Sequence, residues 1–534
     1  MDPLDSHPHI PQKDPSKKES PGASRTPTPP LFDPTKEVPP LDPKRITPPE
    51  AASAAVQKNS SPDKNTLDIK ISHALLASII SKLGFINRFF QRSPDEGICF
   101  GCAHMGIQAF LLKDMQAFDE RLKKLDALKT DDIDSLVETI KKDPDLLAFF
   151  EGMLLYNEGY FYTELYEKDL LSFNAANKTF IPTISQLLLP EKLQVKGGLA
   201  TLVRESGLYT VDTLTKYLDS IKMLSQTDAP PLALQLLNQS HALSIGYDPD
   251  INRWTLIEAG TLEKRRVDTT AELAQFIISI FRNQKETPIL TTMYATKEES
   301  KEPLFQKRFT EWKTSQDTTR KNMLKAASLK KISLRGKKQW LYAACRMGDL
   351  AVIKALLQSG IDPNVESSIG QTSTTPLLIA ITTRESPTVE YLLTHGANPN
   401  HFSASCPPPL CQAAHYGDVA SCKLLLDHGA DANMVASTTE QSPLFYALVH
   451  NNPLLIELLL KKKANVNNRC HDISALMYAL LVKTAPEVIY LLIEHGADVN
   501  AMGGEDTILD IARQIGSSRE VIDVLIAAGG KSAR

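Results

Sequence analysis

The chain has 534 residues and a mass of 59.0 kDa, more than one hydrophobic core usually supports, so several domains are expected. Hydrophobic residues make up 42% and charged residues 23%, as in folded proteins. The balance of 59 basic and 63 acidic residues argues against direct nucleic-acid binding. Seven cysteines, an odd and sparse set, indicate a reducing compartment rather than a disulfide scaffold.

Targeting segments are not apparent in the sequence. No apolar run reaches the roughly 18 residues that span a bilayer, so no membrane span is expected. The first residues, MDPLDSHPHIPQKDP, have neither a basic n-region nor an apolar h-region, so no Sec signal peptide is predicted. We therefore expect a soluble protein.

Residues 1–66 form a proline-rich leader. They hold 15 of the 34 prolines and one aromatic residue, Phe32. Such a segment buries too little apolar surface to offset the entropy of ordering, so it is predicted to be disordered. The proline clusters at 25–30 and 47–49 also suit a polyproline ligand or proline-directed phosphorylation.

Residues 67–300 change in composition and predict an α+β domain, because helical patterns come first and strands later. Apolar residues at helical spacing predict helices over 69–90, 103–128, 132–170, 211–225 and 270–282. Residues 232–260 predict two strands joined by a turn at 248–252, and residues 288–296 predict a last strand.

Residues 301–336 are predicted to be a basic helical connector. Between Arg320 and Lys338 there are eight Lys or Arg residues and no acidic residue. Such a run suits a nuclear-localisation signal, a patch for anionic lipid, or simply the solvated face of a connecting helix.

Residues 337–534 are an internal repeat. Each unit ends on a short phrase that closes with an asparagine, and these residues are spaced 36, 33, 34 and 33 apart: Asn364, Asn400, Asn433, Asn467 and Asn500. A second phrase of the Thr-Pro-Leu type begins at Thr375, Pro408, Ser442, Ser474 and Thr507. This period, with these phrases, resembles the ankyrin repeat. The resemblance implies an all-α solenoid of five repeats plus a C-terminal cap, which binds another protein.

The turns of the repeat carry further expectations. A glycine after each second helix predicts a left-handed helix end. The histidine that usually follows Thr-Pro-Leu is replaced by Leu378, Cys411, Phe445, Met477 and Asp510, so less regular turns are expected. Cys345, Cys411 and Cys422 are predicted to be small core residues. Extra residues at 365–374, 401–407 and 434–441 lengthen the turns and predict the partner-binding loops.

The α+β region carries the candidate chemistry. Cys99, between Gly97 and Gly101, precedes a predicted helix, whose N-terminus stabilises a thiolate. His241, far along the chain, is a candidate base. If Asp248 and Arg253 close the turn opposite each other, Leu243 faces Glu258, and His241 lies one diagonal step from Glu258.

These phrases resemble the papain-like fold, and within it the YopT/AvrPphB-type cysteine proteases. The resemblance implies that Cys99 is the nucleophile, His241 the base and Glu258 the orienting acid, where the family more usually has aspartate. It also makes Gln91 the oxyanion candidate, together with the backbone N–H of Cys99. The domain is therefore predicted to be an α+β papain-like cysteine-protease-type domain without a cofactor.

Alternatives to the protease remain open. Cys99 and Cys102 form a C-x-x-C, which also suits a redox dithiol or half of a zinc site. No second C-x-x-C completes a zinc site, so no metal is expected. A degenerate, inactive protease fold used for binding is a further alternative.

The combination of leader, protease-like domain and ankyrin array resembles Legionella-type ankyrin effectors of type IV secretion. The resemblance implies a monomeric protein that is secreted by a bacterium without a Sec signal and acts in the cytoplasm or nucleus of a host cell. Its ankyrin repeats would bind a host protein, and Cys99 would attack an acyl carbon by hydrolysis, deamidation or acyl transfer. The alternative is a non-enzymatic scaffold that sequesters the host protein.

Overall fold

A computed structural model of the chain describes residues 75–76, 79, 98–128, 132–143, 145–146, 149–150, 198–225, 229–238, 241–258, 263–281, 286–369, 372–401, 408–436, 440–504 and 506–533. The leader predicted over 1–66 and most of the helix predicted over 69–90 lie outside these residues. Within that helix, Leu75, Leu76 and Ile79 are described and are helical.

The first described part consists of helices and one antiparallel sheet. Its helices are α1 (Ile98–Leu111), α2 (Met115–Ala127), α3 (Ile133–Lys142), α4 (Val211–Leu224) and α5 (Thr270–Ile280). Its strands are β1 (Leu199–Tyr209), β2 (Ala233–Leu237), β3 (Ala242–Asp248), β4 (Arg253–Glu258), β5 (Glu263–Val267) and β6 (Thr287–Thr296). They form a six-stranded sheet in the order β1-β6-β2-β3-β4-β5. We call this part the sheet domain.

Several predicted elements are confirmed. The helices predicted over 211–225 and 270–282 are α4 and α5, and the strand predicted over 288–296 is β6. The helical pattern over 103–128 divides into α1 and α2. The prediction of two strands over 232–260 is wrong, because these residues form β2, β3 and β4. The chain reverses between Asn238 and His241, where the backbone N–H of Asn238 donates to the carbonyl of His241.

Strands β1 and β5 were not predicted from the sequence. Strand β1 contains charged residues and Gly207, and strand β5 reads Glu-Lys-Arg-Arg-Val, so neither shows an apolar alternation. Both are edge strands. In β5 the ammonium of Lys264 is buried and pairs with Asp119 of α2. A lysine thus occupies an inward position where a strand usually has an apolar residue, so the sequence pattern did not indicate a strand.

Helices cover both faces of the sheet. On one face, α4 and α5 pack with Leu234, Leu243 and Leu256. On the other, α1, α2 and α3 pack with a second set that includes Ala242 and Ile257. We call the latter the α1 face.

The second described part is an array of paired helices. After α6 (Pro303–Met323) and the short α7 (Ala326–Leu329), the pairs are α8–α9 (Leu334–Met347, Leu350–Gln358), α10–α11 (Pro376–Thr382, Ser386–Thr394), α12–α13 (Pro409–His415, Val419–Asp427), α14–α15 (Pro443–Val449, Pro453–Lys461), α16–α17 (Ala475–Leu481, Pro486–Glu494) and α18–α19 (Ile508–Gln514, Arg519–Ala527). These six pairs follow one another at the spacing of the sequence repeat. The left-handed helix ends are also confirmed, with φ between 84° and 92° at Gly360, Gly396, Gly429 and Gly496.

The array begins directly on the sheet domain. Helix α8 contacts β1 and β6, and Met347 of α8 is buried in the core of the α1 face. The side chain and backbone N–H of Ser206 in β1 both donate to Asp349, at 2.9 and 3.1 Å. Arg320 of α6 pairs with the same aspartate and, at 3.1 Å, with Glu205. We call this group of side chains the junction cluster.

Candidate functional site

Cys99 lies in the first turn of α1, because this helix begins at Ile98 and not at residue 103, where the sequence predicted its start. The structure describes its backbone but not its side chain. Gln91, the predicted oxyanion residue, lies outside the described residues. A cysteine in the first turn of a helix is close to unpaired backbone N–H groups and to the positive end of the helix dipole, and both lower the pKa of a thiol.

Helix α1 packs along β3 with almost no space between the two backbones. A Cβ atom on Gly106 would lie 2.8 Å from Cδ1 of Ile257 and even closer to Oγ of Ser244. A Cβ atom on Gly246 would lie 2.6 Å from Cδ1 of Phe110. Glycine is therefore required at both positions for this close approach.

These two contacts also fix the direction of the helix. Residue 106 lies against residue 244, and residue 110 against residue 246, so α1 and β3 run the same way. Four helical residues advance about 6 Å and two strand residues about 6.6 Å, so the two elements stay in step. Extending the same relation backward brings the first turn of α1 level with the residues just before β3, where His241 lies.

His241 immediately precedes β3 and is half-buried. Its backbone N–H donates to Oδ1 of Asn238 at 2.7 Å, and the N–H of Asn238 donates to its carbonyl at 3.1 Å. The Asn238 amide also donates to the carbonyl of Phe281 at 3.4 Å. Asn238 therefore holds the backbone of the candidate base, a role that the sequence analysis missed. The signal was a turn-forming asparagine three residues before the histidine.

Glu258 ends β4 directly opposite Leu243, and Asp248 pairs with Arg253, so the predicted hairpin register is confirmed. Strand β3 begins at Ala242, however, so the ladder does not extend to His241 and does not fix its position relative to Glu258. Alternation along β4 puts Glu258 on the face of Leu256, opposite the α1 face that Ile257 occupies.

Polar side chains lie beneath α1 on the same sheet face. Gln235 pairs across the sheet with Ser244 on one side and with Thr292 on the other, and all three are buried. Among the described residues, neither the amide of Gln235 nor the hydroxyl of Ser244 has a hydrogen-bond partner. The ring of His104 packs edge-on to Tyr294 at 5.5 Å, and burial lowers the pKa of His104 to about 3. His104 is therefore neutral at physiological pH.

Asparagines connect successive repeats of the array. The side chain of Asn433 donates to the carbonyl of Lys463 at 3.1 Å and accepts from the N–H of Asn465 at 2.7 Å. Equivalent pairs of bonds are made by Asn364, Asn400, Asn467 and Asn500. We call these five side chains the asparagine ladder. The same two bonds recur between neighbouring repeats, so the turns are regular at the asparagine; the missing histidine after Thr-Pro-Leu is not tested by these bonds.

The predicted partner-binding loops are described in part. In loop 365–374, two short strands, β7 (Ser367–Ile369) and β8 (Thr372–Thr374), form a hairpin. Of loop 401–407 only His401 is described, and its Nε2 lies 2.9 Å from Oε1 of Glu366 in the first loop. In loop 434–441 the N–H of Ala436 donates to the carbonyl of Gln441 at 3.0 Å.

The cysteines of the array are confirmed as core residues. Cys345, Cys411 and Cys422 are buried, as is Cys470. Burial raises the pKa of the Cys411 thiol to about 12 and raises the pKa of Cys345 and Cys422 as well. These thiols therefore stay protonated near neutral pH, and protonated thiols are poor nucleophiles.

The described residues form neither a metal-binding group nor a membrane span. In this part of the chain, no group of three or more His, Cys, Asp or Glu side chains is arranged to hold a metal ion. Across the same ranges, the helices are all too short or too polar to cross a bilayer.

Comparison with known proteins identifies the array. The family model for ankyrin repeats, in three copies, matches residues 316–403 and 410–503. A fowlpox virus ankyrin repeat protein is 32% identical over 131 residues, which are 24% of this chain and 38% of the viral protein. A Rickettsia felis ankyrin repeat protein is 30% identical over 130 residues, 24% of this chain and 42% of that protein. The chain thus spans less than half the length of these relatives.

Solved structures with similarity to the chain include two ankyrin repeat domains. The human ASB11 domain is 27% identical with a TM-score of 0.31, and 36% of this chain and 89% of that chain are covered. A domain from Acinetobacter baumannii is 24% identical with a TM-score of 0.34, and 36% of this chain and 98% of that chain are covered. The repeat spacing, the paired helices and the family model lead to one conclusion: the C-terminal region is an ankyrin-repeat helical solenoid, a structure suited to protein–protein interaction.

Proposed function

We propose that the protein is an effector that acts in a host cell, binds a host protein through its ankyrin repeats and modifies a protein substrate with Cys99 and His241. The observation that supports the enzymatic part is the parallel course of α1 and β3. From this course we infer that the helix turn of Cys99 lies level with His241. A thiol at a helix N-terminus beside an imidazole is the arrangement that cysteine nucleophiles require.

The proposed reaction is acyl transfer from the substrate to Cys99. His241 takes the thiol proton, the thiolate adds to the carbonyl carbon, and the same imidazole returns the proton to the leaving amine. Water then attacks the thioester, releases the acid and restores the thiol. Glu258 orients the imidazole, and Gln91 with the backbone N–H of Cys99 stabilises the oxyanion. Peptide hydrolysis and side-chain deamidation share these steps.

The junction cluster supports a coupling of binding to chemistry. Arg204 of β1 pairs with Glu385, in the second repeat, at 3.1 Å, and the glutamate is buried. Together with the pairing of Ser206 and Arg320 to Asp349, this fixes β1 against the first two repeats. A protein bound by the array would therefore meet the sheet domain in one orientation.

A non-enzymatic scaffold is the second candidate, and one observation favours it. Alternation places Glu258 on the sheet face opposite α1, so the third member of the proposed triad would have to reach around the end of its strand. In this alternative the repeats sequester the host protein, and the site of Cys99 is inert.

The effector role and the host compartment rest on the resemblance to bacterial ankyrin effectors. Secretion without a Sec signal, and action in the cytoplasm or nucleus of the host, belong to the same proposal.

The proposal is tested by treating eukaryotic cell lysate with the wild-type protein, with Cys99→Ala and with His241→Ala. New protein N-termini and new deamidation sites are then measured by mass spectrometry. With the wild type alone we expect either new N-termini, if the reaction is peptide hydrolysis, or new deamidation sites, if it is deamidation, while all three proteins capture the same partner. Cys102→Ala is the matched control and should behave as the wild type.

Equal partner capture with no modification by the wild type would favour the scaffold. Loss of activity in Cys102→Ala as well as in Cys99→Ala would favour the dithiol or metal alternative. If neither the wild type nor any variant captures a partner, the proposed binding of a host protein by the array is contradicted.

A further inference from the structure

The segment that joins the two parts of the chain carries a local excess of positive charge. Between Arg320 and Lys338 it holds eight basic and no acidic residues, in a chain whose net charge is −4. Arg320 points into the junction cluster, where Glu205 and Asp349 neutralise it. Within the described residues, the other cations of the segment form no ion pair.

Five of these cations are exposed: Lys321, Lys325, Lys330, Lys331 and Arg335. Within the described residues none of them forms an ion pair, whereas other surface lysines do, such as Lys216 with Asp212 at 2.8 Å and Lys462 with Asp427 at 2.7 Å. Glu286 also contacts this segment, where it accepts from the hydroxyl of Ser333, and within the described residues it pairs with none of these five cations. The five charges therefore repel one another and favour an anionic ligand.

These cations lie on the end of one helix, the start of another and the turn between them. Helix α6 ends at Met323, α7 forms a single turn, and α8 begins at Leu334. The hydroxyl of Ser328 donates to the carbonyl of Asn322 at 2.9 Å, and Leu329 is buried beneath the turn. A linear recognition peptide, such as a nuclear-localisation signal, would require these helix ends to unfold.

An exposed apolar side chain lies among the cations. Leu334, in the first turn of α8, is 61% exposed, and Arg335 follows it. A nucleic acid backbone has phosphates that would pair with the cations, but it has little apolar surface that would bury a leucine side chain. A membrane surface offers both, because anionic headgroups attract the lysines and the acyl boundary accepts the apolar side chain.

We propose that these five cations and Leu334, which we call the connector patch, dock the protein on the surface of a membrane that contains anionic lipid. The cations contact the headgroup phosphates, and Leu334 enters the interface. The array and the sheet domain are thereby held at the membrane surface without any segment crossing it. This inference is independent of Cys99 and of the proposed reaction.

The test uses the full-length protein and sedimentation with vesicles. Vesicles of phosphatidylcholine alone are compared with vesicles that contain about one third phosphatidylserine, with and without a phosphoinositide. We expect binding only to the anionic vesicles, with an affinity that falls as salt is raised. Each cation removed should weaken binding by about fivefold, so Lys330→Glu, Lys331→Glu and Arg335→Glu together should weaken it at least a hundredfold.

Matched variants separate this surface from net charge and from stability. Lys216→Glu, Lys461→Glu and Lys462→Glu together change the net charge equally, away from the connector patch, and should retain most of the binding. Leu334→Ala should weaken binding several-fold, whereas Leu304→Ala, at a side chain that is 56% exposed, should not. Circular dichroism and thermal melting confirm that each variant is folded.

Several results would overturn the proposal. One is that the protein with Lys330→Glu, Lys331→Glu and Arg335→Glu binds anionic vesicles as well as the wild type does. Another is that the wild type binds neutral and anionic vesicles equally. A third is that this triple variant and the Lys216, Lys461 and Lys462 triple variant lose the same amount of binding. Binding to labelled duplex RNA or DNA, or to soluble inositol phosphate, without binding to anionic vesicles would also overturn it, because the ligand would then be a nucleic acid or a free phosphate compound.

Discussion

Replacing Asn433 with alanine removes the middle rung of the asparagine ladder. The side chain joins two turns, since it donates to the carbonyl of Lys463 and accepts from the N–H of Asn465. Both bonds cross between repeats that are otherwise joined by helix packing. The substitution therefore weakens one interface and leaves the helices themselves unchanged.

The size of the loss follows from the number of bonds and their exposure. An intramolecular hydrogen bond contributes about 1 kcal/mol net, and water replaces part of it where the groups are exposed, so we expect a loss of about 1–2 kcal/mol. Since about 1 kcal/mol shifts the melting temperature of a domain of this size by about 2–4 °C, the array should melt about 2–8 °C lower. Asn468→Ala is the matched control, because among the described residues that side chain bonds only the N–H of Arg469 next to it.

The assay is urea unfolding followed by circular dichroism, with amide hydrogen exchange as the local measurement. Because each repeat packs only on its neighbours, protection of backbone amides from exchange should fall most in α12 to α15, the helices of the two repeats that Asn433 joins. The reasoning is refuted if Asn433→Ala and Asn468→Ala have equal effects, or if protection falls evenly along the array.

Three further predictions concern other parts of the molecule. Asp510 accepts hydrogen bonds from Ser532, Ala533 and Thr507, which lowers the pKa of its carboxyl. The wild type should therefore be more stable than Asp510→Ala at pH 7, and this difference in stability should shrink below about pH 4, where the carboxylate of the unfolded chain becomes protonated. Melting temperatures measured across this pH range test the prediction. Gly106→Ala should cost about 1–3 kcal/mol in urea unfolding, since its Cβ meets Ser244, and adding Ser244→Gly should restore part of it, whereas strict additivity would contradict the close approach. Arg320→Ala should lower the stability of the whole chain by about 2–4 kcal/mol, because it leaves Glu205 and Asp349 without their cation, and an unchanged melting curve would show that the junction cluster contributes nothing.

The parts of the fold that were predictable from sequence have local signals. The repeats recur every 33 to 36 residues with turn glycines, so their number and helix ends follow from the sequence. The hairpin of β3 and β4 was predictable in register because Asp248 and Arg253 flank a turn of Pro, Asp and Asn. In both cases the residues that determine the structure are close together along the chain.

Long-range features had no such signal. Strand β5 is charged, and Lys264 is buried only because Asp119 of α2 lies beside it. Arg320 belongs to a run that looks solvated, yet it is held by residues from β1 and the first repeat. At the candidate site, Cys99 and His241 were identified by residue type, but the close packing of α1 on β3 became visible only in the structure.

The alkylation rate of Cys99 as a function of pH tests the central claim most directly. Full-length protein is treated with iodoacetamide between pH 5 and pH 9, and each cysteine is followed by mass spectrometry; Cys345, Cys411 and Cys422 serve as buried internal controls. If His241 and the helix N-terminus stabilise the thiolate, Cys99 should react well below the ordinary thiol pKa of about 8.5, and His241→Ala should move its profile up toward that value. A wild-type profile at the ordinary thiol pKa, unchanged by His241→Ala, would contradict the account.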